Sequence, residues 1–389
     1  MKWSRVLAVG GAILMLVAAV VYTGLPWWDS TPRPAVFTPF DGGWGTESSP
    51  WQIATAGQFV AIDARDTYLA GSYVLVDDID LDEVGDSEFV GIGALSGRPI
   101  SRPFTGRFDG GGHVIENYSV RVDGEELGVG LFRFSKGTLE AVEMVDVDVE
   151  AEASLRVGSL VGQNDGEVVG GEVSGQIRGE NWVGGLVGQN EGEVRGAYAS
   201  VEVVGEIWVG GLTGENRGDL VESRASGDVE GDSDVGGLAG TNEGEIIEGK
   251  ASGDVEGYSD VGGLVGRNKG KIIEGKASGD VEGTYTVGGL VGVLQSSAAI
   301  ARSLATGAVG GDSQVGGLVG AAEESGVVED GYWNMDSAGT DVSAGGVGLT
   351  AEEFGEAASF AGFVFCPGDD CRWVMDEEKQ RPVLKRYVW

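Results

Sequence analysis

Four carboxylates crowd into six residues at Asp77, Asp78, Asp80 and Asp82. Paired carboxylates can share the acid and base work of breaking a glycosidic bond. Clustered carboxylates also suit a hard cation such as calcium, although this spacing is not that of an EF-hand loop. The same four residues read equally as the solvated end of a strand. His113, in FDGGGHVI, is the only histidine. A histidine-based triad would have to use it, and no Ser or Cys partner stands out. No GxxxxGK[ST] phosphate loop occurs. Trp182 and Trp208 stand 26 residues apart, and a pair of exposed indoles can bind a sugar ring or a protein partner. Cys366 and Cys371 are the only cysteines. In CPGDDC, between FVF and RWVM, they suit a disulfide closing a small hairpin. Two sulfurs with no nearby His make a poor zinc shell.

The elements that must position these residues come from a repeat. The phrase VGGLVG begins at Val183, Val261, Val287 and Val315, with near copies at Val157, Val209 and Val235. The first six of these valines in chain order are 26 residues apart, and Val315 follows after 28. A period of this size signals a solenoid. Between the phrases, short Val and Ile runs alternate with turn residues, and no stretch shows ten residues of helical period. Three short strands and three turns fill one such period, which makes it one coil of a parallel β-helix. Coils then stack at about 4.8 Å. None of the nine prolines lies between residues 104 and 366, as suits a sheet in which every N–H donates. The fold class expected is all-β: a right-handed parallel β-helix of about ten coils over residues 51–331.

Identical registers place like side chains over like. Asn164, Asn190, Asn216, Asn242 and Asn268 form one column, each followed two residues later by Gly. N-x-G makes a turn, because both residues tolerate left-handed backbone angles. The stacked amides are expected to form an asparagine ladder. Glu222, Glu248 and Glu274 make a second column, with Arg224, Lys250 and Lys276 two residues further on. Alternation with period two would put acids and bases on one face. Asp228, Asp254 and Asp280 form a third, uncompensated column, in which like charges about 4.8 Å apart cost roughly 1 kcal/mol each in a water-like dielectric.

Both ends of a solenoid need caps. Thr55-Ala-Gly-Gln58 and Thr350-Ala-Glu-Glu353 carry the capping-box pattern, so short helices are expected at 56–64 and 351–359. Residues 332–389 are assigned to a C-terminal cap with the Cys hairpin. Five prolines between Pro26 and Pro50 mark residues 29–50 as a linker. Lys2 and Arg5 precede an apolar run from Val6 to Val21, so residues 1–28 read as a signal peptide or a retained membrane anchor. Trp27 and Trp28 lie where an interfacial aromatic belt would, which favours the anchor. Either reading puts the remaining chain on the extracellular face of the membrane or in the medium.

PWQIATAGQF, DDIDL, FTGRFDGGGHVIENYSV, VGLF, the VGGLVG phrases and GYWNMDSAG together resemble the GLUG-repeat family of exported proteins. The resemblance runs over residues 44–389. It implies a secreted or cell-surface β-solenoid, related in architecture to filamentous haemagglutinin adhesins. Family motifs also occur beside enzyme domains such as peptidases, for which this chain leaves no room. The chain departs from the family pattern in its acidity and in the longer coil around VLQSSAAIARS.

Acidity is the last constraint. Asp and Glu number 62 against 26 Lys and Arg, a net charge of -36 in 389 residues. Phosphate binding needs a basic face, so nucleic acid is excluded as a partner on this balance. Only eight of the bases are Lys. The pattern fits life in high salt, where repulsion is screened within about 3 Å. The function expected is adhesion, surface structure, or contact with glycans or surface proteins. No cofactor is implied beyond structural cations such as calcium. The alternative is a polysaccharide-active lyase or hydrolase using the carboxylates near Asp77–Asp82.

Overall fold

A computed structural model describes residues 39–84, 89–93, 102–365, 373–376 and 381–384. The protein is an all-β solenoid. One sheet of eleven strands begins at Trp51–Ile53 and ends at Val327–Glu329, so ten steps separate its ends. A second sheet of eight strands runs from Phe132–Ser135 to Val319–Ala322. A third face carries the remaining solenoid strands. In a middle coil the order is Val255–Gly262, Val265–Asn268, Lys271–Ile273 and Lys276–Ala277. Each pairs in parallel with its counterpart one coil on, as in Val261↔Val287 and Ile246↔Ile272.

Stacking buries what one coil cannot. Val255, Val261, Leu264, Val265 and Ile272 of that coil are all at most 1% exposed. At roughly 1.5–3 kcal/mol for each buried side chain, the interface between coils is the main stabilising term. Both valines and the leucine of VGGLVG therefore face the interior. Its second and sixth positions are Gly because two backbones meet there. A Cβ on Gly262 would strike the carbonyl oxygen of Val265, and one on Gly266 would lie 2.5 Å from the carbonyl carbon of Asp234.

The corners differ from the sequence expectation. The residue before each phrase has positive φ: Arg156, Trp182, Trp208, Asp234, Asp260, Thr286 and Gln314 all fall between 51° and 58°. A second left-handed corner holds Glu222, Glu248, Glu274, Arg302 and Asp330. Such angles cost a non-Gly residue about 1–2 kcal/mol, and the flanking ladders hold them. Period-two alternation therefore does not carry across from Glu222 to Arg224, since a corner separates them. Glu248 and Glu274 are each only 6% exposed, and Glu274 accepts from Arg302 Nε at 3.2 Å.

In N-x-G neither residue is left-handed. The Gly is needed for a different reason: a Cβ on Gly192, Gly218, Gly244 or Gly270 would collide with the carbonyl oxygen of the equivalent glycine one coil earlier. The five asparagines are fully buried. Asn164, Asn190, Asn216 and Asn242 each donate Nδ2–H to the next Oδ1 at 2.7–2.8 Å. Each Nδ2 also bonds the carbonyl of its own turn glycine, as Asn216 does with Gly218 at 2.9 Å. Ser135 precedes the column and Leu294 follows it, in the coil with two extra residues.

Both end helices are present, each followed by a 3-10 turn. Helix α1 spans Ala56–Val60 and the turn Ala61–Ala64. Thr55 accepts from Gln58 N, while the Gln58 side chain reaches Ala54 N rather than the Thr55 amide. Phe59 packs edge-on against Phe108 and Phe132, closing the end of the core. Helix α2 spans Met335–Ala338, with Asn334 as N-cap. Helix α3, Ala351–Phe354, has the full Thr350/Glu353 capping box. A second apolar cluster joins Leu304, Tyr332, Phe354, Phe360, Phe363 and Trp373. The compact unit starts at Pro39, so residues 39–50 fold with the solenoid instead of forming a linker. Phe40 stacks on Trp51 at 5.0 Å and is 6% exposed. The apolar run at 6–21, Cys366 and Cys371 lie outside the described residues.

Replacing Asn216 by Ala removes the central rung: the Asn190 amide loses its side-chain acceptor and Asn242 Oδ1 loses its donor. We expect a loss of about 2 kcal/mol in chemical denaturation at fixed salt. A change below about 0.5 kcal/mol, the range of a surface substitution, would show that the ladder is idle.

Candidate functional site

The outer surface is built of columns, and each candidate residue can be placed on one. The cluster at Asp77–Asp82 does not converge. Asp77 Oδ1 accepts from the Asp78 amide at 3.0 Å. Asp78 Oδ1 accepts from the Val114 amide and faces His113 Nδ1, both at 3.1 Å. Asp80 Oδ1 accepts from Asn117 Nδ2 at 2.9 Å and from the Asp82 amide at 3.1 Å. The Val114 amide, then the His113 side chain, hold the Asp78 carboxyl below its ordinary value. Asp78 and Asp80 tie one coil to the next. Among the described residues no group of three or more His, Cys, Asp or Glu is arranged to hold a metal ion. Calcium at Asp77, Asp78, Asp80 and Asp82 is therefore not supported by their geometry.

Trp182 and Trp208 stack on one another, with centroids 4.8 Å apart and planes at 22°. The guanidinium of Arg156 lies 5.3 Å from the Trp182 ring centroid. Both indoles are half-buried. The stack runs along the solenoid axis because the same left-handed corner recurs in each coil. Both faces of Trp182 are thus taken, by Arg156 and by Trp208. Sugar rings pack on aromatic faces, and Trp182 has neither face left for one. Tyr258 and Tyr285 are more open, 55% and 46% exposed, in edge-to-face contact at 5.2 Å. Their spacing exceeds the repeat by a single position, so no strict column in the sequence contains both.

Next along the same corner, Asp234 and Asp260 share Arg267. Arg267 Nε bonds Asp234 at 2.6 Å, and its Nη2 pairs with Asp260. Burial pushes the Asp234 carboxyl above its ordinary value, and Arg267 draws it partly back.

Two grooves flank the ridge formed by Ser-Gly-Asp at 226–228, 252–254 and 278–280. One, of about 540 Å³, is acidic, with Asp228, Asp254 and Asp280 beside Glu230, Glu256 and Glu282. The aspartate column is compensated, unlike the sequence expectation. Asp228, Asp254 and Asp280 each accept the backbone N–H one coil on, from Asp254, Asp280 and Ala308, at 2.8–2.9 Å. The other groove, of about 900 Å³, contains Arg224, Lys250, Lys276 and Arg381.

No family model matches the chain. Over 160 residues it is 33% identical to halomucin of Haloquadratum walsbyi, a match covering 39% of this chain and 2% of halomucin. A Bacteroides ovatus protein provisionally named an immunoglobulin A1 protease is similar in structure, with TM-score 0.43 and 21% identity over 89% of this chain and 95% of that one. Among the described residues no helix is long and apolar enough to cross a membrane.

Removing Arg267 leaves two stacked carboxylates facing each other. For Arg267→Gln we expect a loss of about 3 kcal/mol at pH 7. A carboxyl whose folded pKa is raised costs stability above that value and regains it as pH falls towards the unfolded value of 3.8. The deficit relative to the parent protein should therefore shrink in melts at pH 4. An equal deficit at both pH values would refute the pairing.

Proposed function

We propose that this chain is an exported, salt-adapted β-solenoid of the cell surface. It acts as a stiff contact surface in adhesion or envelope structure, touching glycans or surface proteins. The observation that carries this reading is the side of the rod. Glu230, Glu256 and Glu282 stand in strict register one coil apart, all exposed, beside the aspartate column. Like charges held at that spacing favour a medium rich in counterions. The likeness to halomucin supports a surface location in high salt. The resemblance of its repeat phrases to those of GLUG-repeat proteins and the run Val6–Val21 behind Lys2 and Arg5 support export, with the membrane engaged through that N-terminal segment. Tyr258 and Tyr285 are the open aromatic contact, and the edges of Trp182 and Trp208 are a second.

A second reading is a polysaccharide-active enzyme. What favours it is the acidic groove, which has carboxylates in plenty and room for a sugar. Against it, each aspartate already accepts a backbone donor, and the glutamates repeat without a break that would mark one catalytic pair.

Two outcomes test the proposal. The melting temperature should rise as KCl goes from 0.1 M to 3 M, and should rise less with osmotically matched sucrose. Antibody against the solenoid should label intact, unpermeabilised producing cells or the medium. A melting temperature indifferent to salt would remove the adaptation, and label found only after permeabilisation would remove the surface role. Cleavage of acidic polysaccharides by the purified protein would establish the enzyme instead.

A further inference from the structure

The basic groove is at odds with a chain of net charge -36. One column of paired residues forms its floor. In register order it reads Glu143, Glu172, Tyr198, Arg224, Lys250, Lys276. Charge thus changes sign along the axis, acidic through Glu172 and basic from Arg224. The three bases are partly buried and repeat at the coil spacing. Ser226, Ser252 and Ser278 line one wall, and Tyr198 OH is 2.7 Å from Ser226 Oγ. The C-terminal hairpin, Trp373–Asp376 with Arg381–Leu384, reaches the basic end. There Lys276 Nζ donates to the Pro382 carbonyl at 3.3 Å. Arg381 enters the groove, and its buried Nε has no hydrogen-bond partner.

We propose that the groove between Tyr198 and Arg381 binds an acidic oligosaccharide, a chain of uronate sugars lying along the solenoid axis. The proposal rests on the surface-contact reading above and names its ligand. Cations one coil apart, about 4.8 Å, match a chain with one carboxylate per sugar ring. Guanidinium and ammonium groups supply the charge-assisted bonds, and serine and tyrosine hydroxyls suit the sugar hydroxyls. Glu143 and Glu172 repel further anionic residues, which limits the site to about three or four rings. A nucleic acid is a poorer fit. Its phosphates are denser, and they would meet Asp228, Asp254 and Asp280 along the ridge. Partial burial keeps these contacts from being fully screened in high salt.

The test is calorimetric binding of tetragalacturonate to the full chain, at 0.2 M and 2 M KCl. Maltotetraose and a single-stranded DNA oligonucleotide serve as comparisons. Tetragalacturonate should bind at both salt concentrations, more weakly at the higher, and at least tenfold tighter than either comparison. Arg224→Gln/Lys250→Gln should weaken it at least tenfold with a circular dichroism spectrum like that of the parent. Lys250→Arg should bind within about threefold of the parent, as a conserved charge predicts. Glu256→Gln, in the other groove, should leave binding unchanged. No binding of tetragalacturonate at either salt, equal binding of the neutral sugar, tighter binding of DNA, or full affinity in the folded double variant would each overturn the proposal. If the double variant fails to fold, Arg381→Gln gives the same reading from outside the solenoid coils. None of these outcomes bears on whether the protein lies at the cell surface.

Discussion

Every side chain in the regular coils has a copy of its own position as nearest neighbour above and below. That constraint selects which residues the columns can hold. Val, Leu and Ile stack on themselves with gain, which is why the core column from Val168 through Val194, Leu220, Ile246 and Ile272 to Ile300 is purely aliphatic. Asn is the polar residue that best meets its own kind, since each amide has a donor for the acceptor one step on. Indole meets indole in the same way at Trp182 and Trp208.

Charged columns cannot satisfy themselves, and the fold answers each differently. The aspartates borrow a backbone N–H from the next coil. Asp234 and Asp260 share one arginine. Glu191 and Glu243 are bridged by Arg217, which spans three coils with Glu215. Glu230, Glu256 and Glu282 stay at the surface, where solvent cations are the available partner. The cost of this stripe thus falls on the medium more than on the fold.

The period, the Asn column and both helix caps were legible in the sequence, because each rests on spacing or on a local motif. The coil holds four strands and not the expected three, Lys276–Ala277 being separate from Val281–Gly288. Val261 and Leu264 could not be sorted into inward and outward, and the reason is geometric: two sheets meet at the phrase, so both are inside. The left-handed corners were hidden because Arg, Trp, Asp, Glu and Thr all occupy them. Backbone strain imposed by neighbouring ladders leaves no preference in residue type. The turn glycines were found but for the wrong reason, since the limit on them comes from the coil below and not from φ. The reach of the hairpin to Lys276 is a contact over 106 residues that no periodicity predicts. The column Arg224, Lys250, Lys276 was visible, but its meaning changed once the corner placed the glutamates elsewhere.

The strict repeat and the candidate sites share the same boundaries. Asn268 and Lys276 belong to the last coil of regular length before the insertion, and in the next coil their places fall to Leu294 and Leu304. Tyr332 then stacks on Leu304 and enters the cluster that holds the C-terminal cap. Two extra residues at Gln295–Ala298 mark where columns stop carrying polar ladders and start receiving a cap. The insertion is absorbed in its turn, since Ile272↔Ile300 and Val287↔Val315 keep their register across it. The cation row ends because the residue paired with Lys276 is Leu304. The acidic half of the groove floor, Glu143 and Glu172, lies towards the other end, where the spacing to the preceding phrase at Val129 is also 28. The basic row sits between two irregular ends, in the part of the rod where the repeat is most exact.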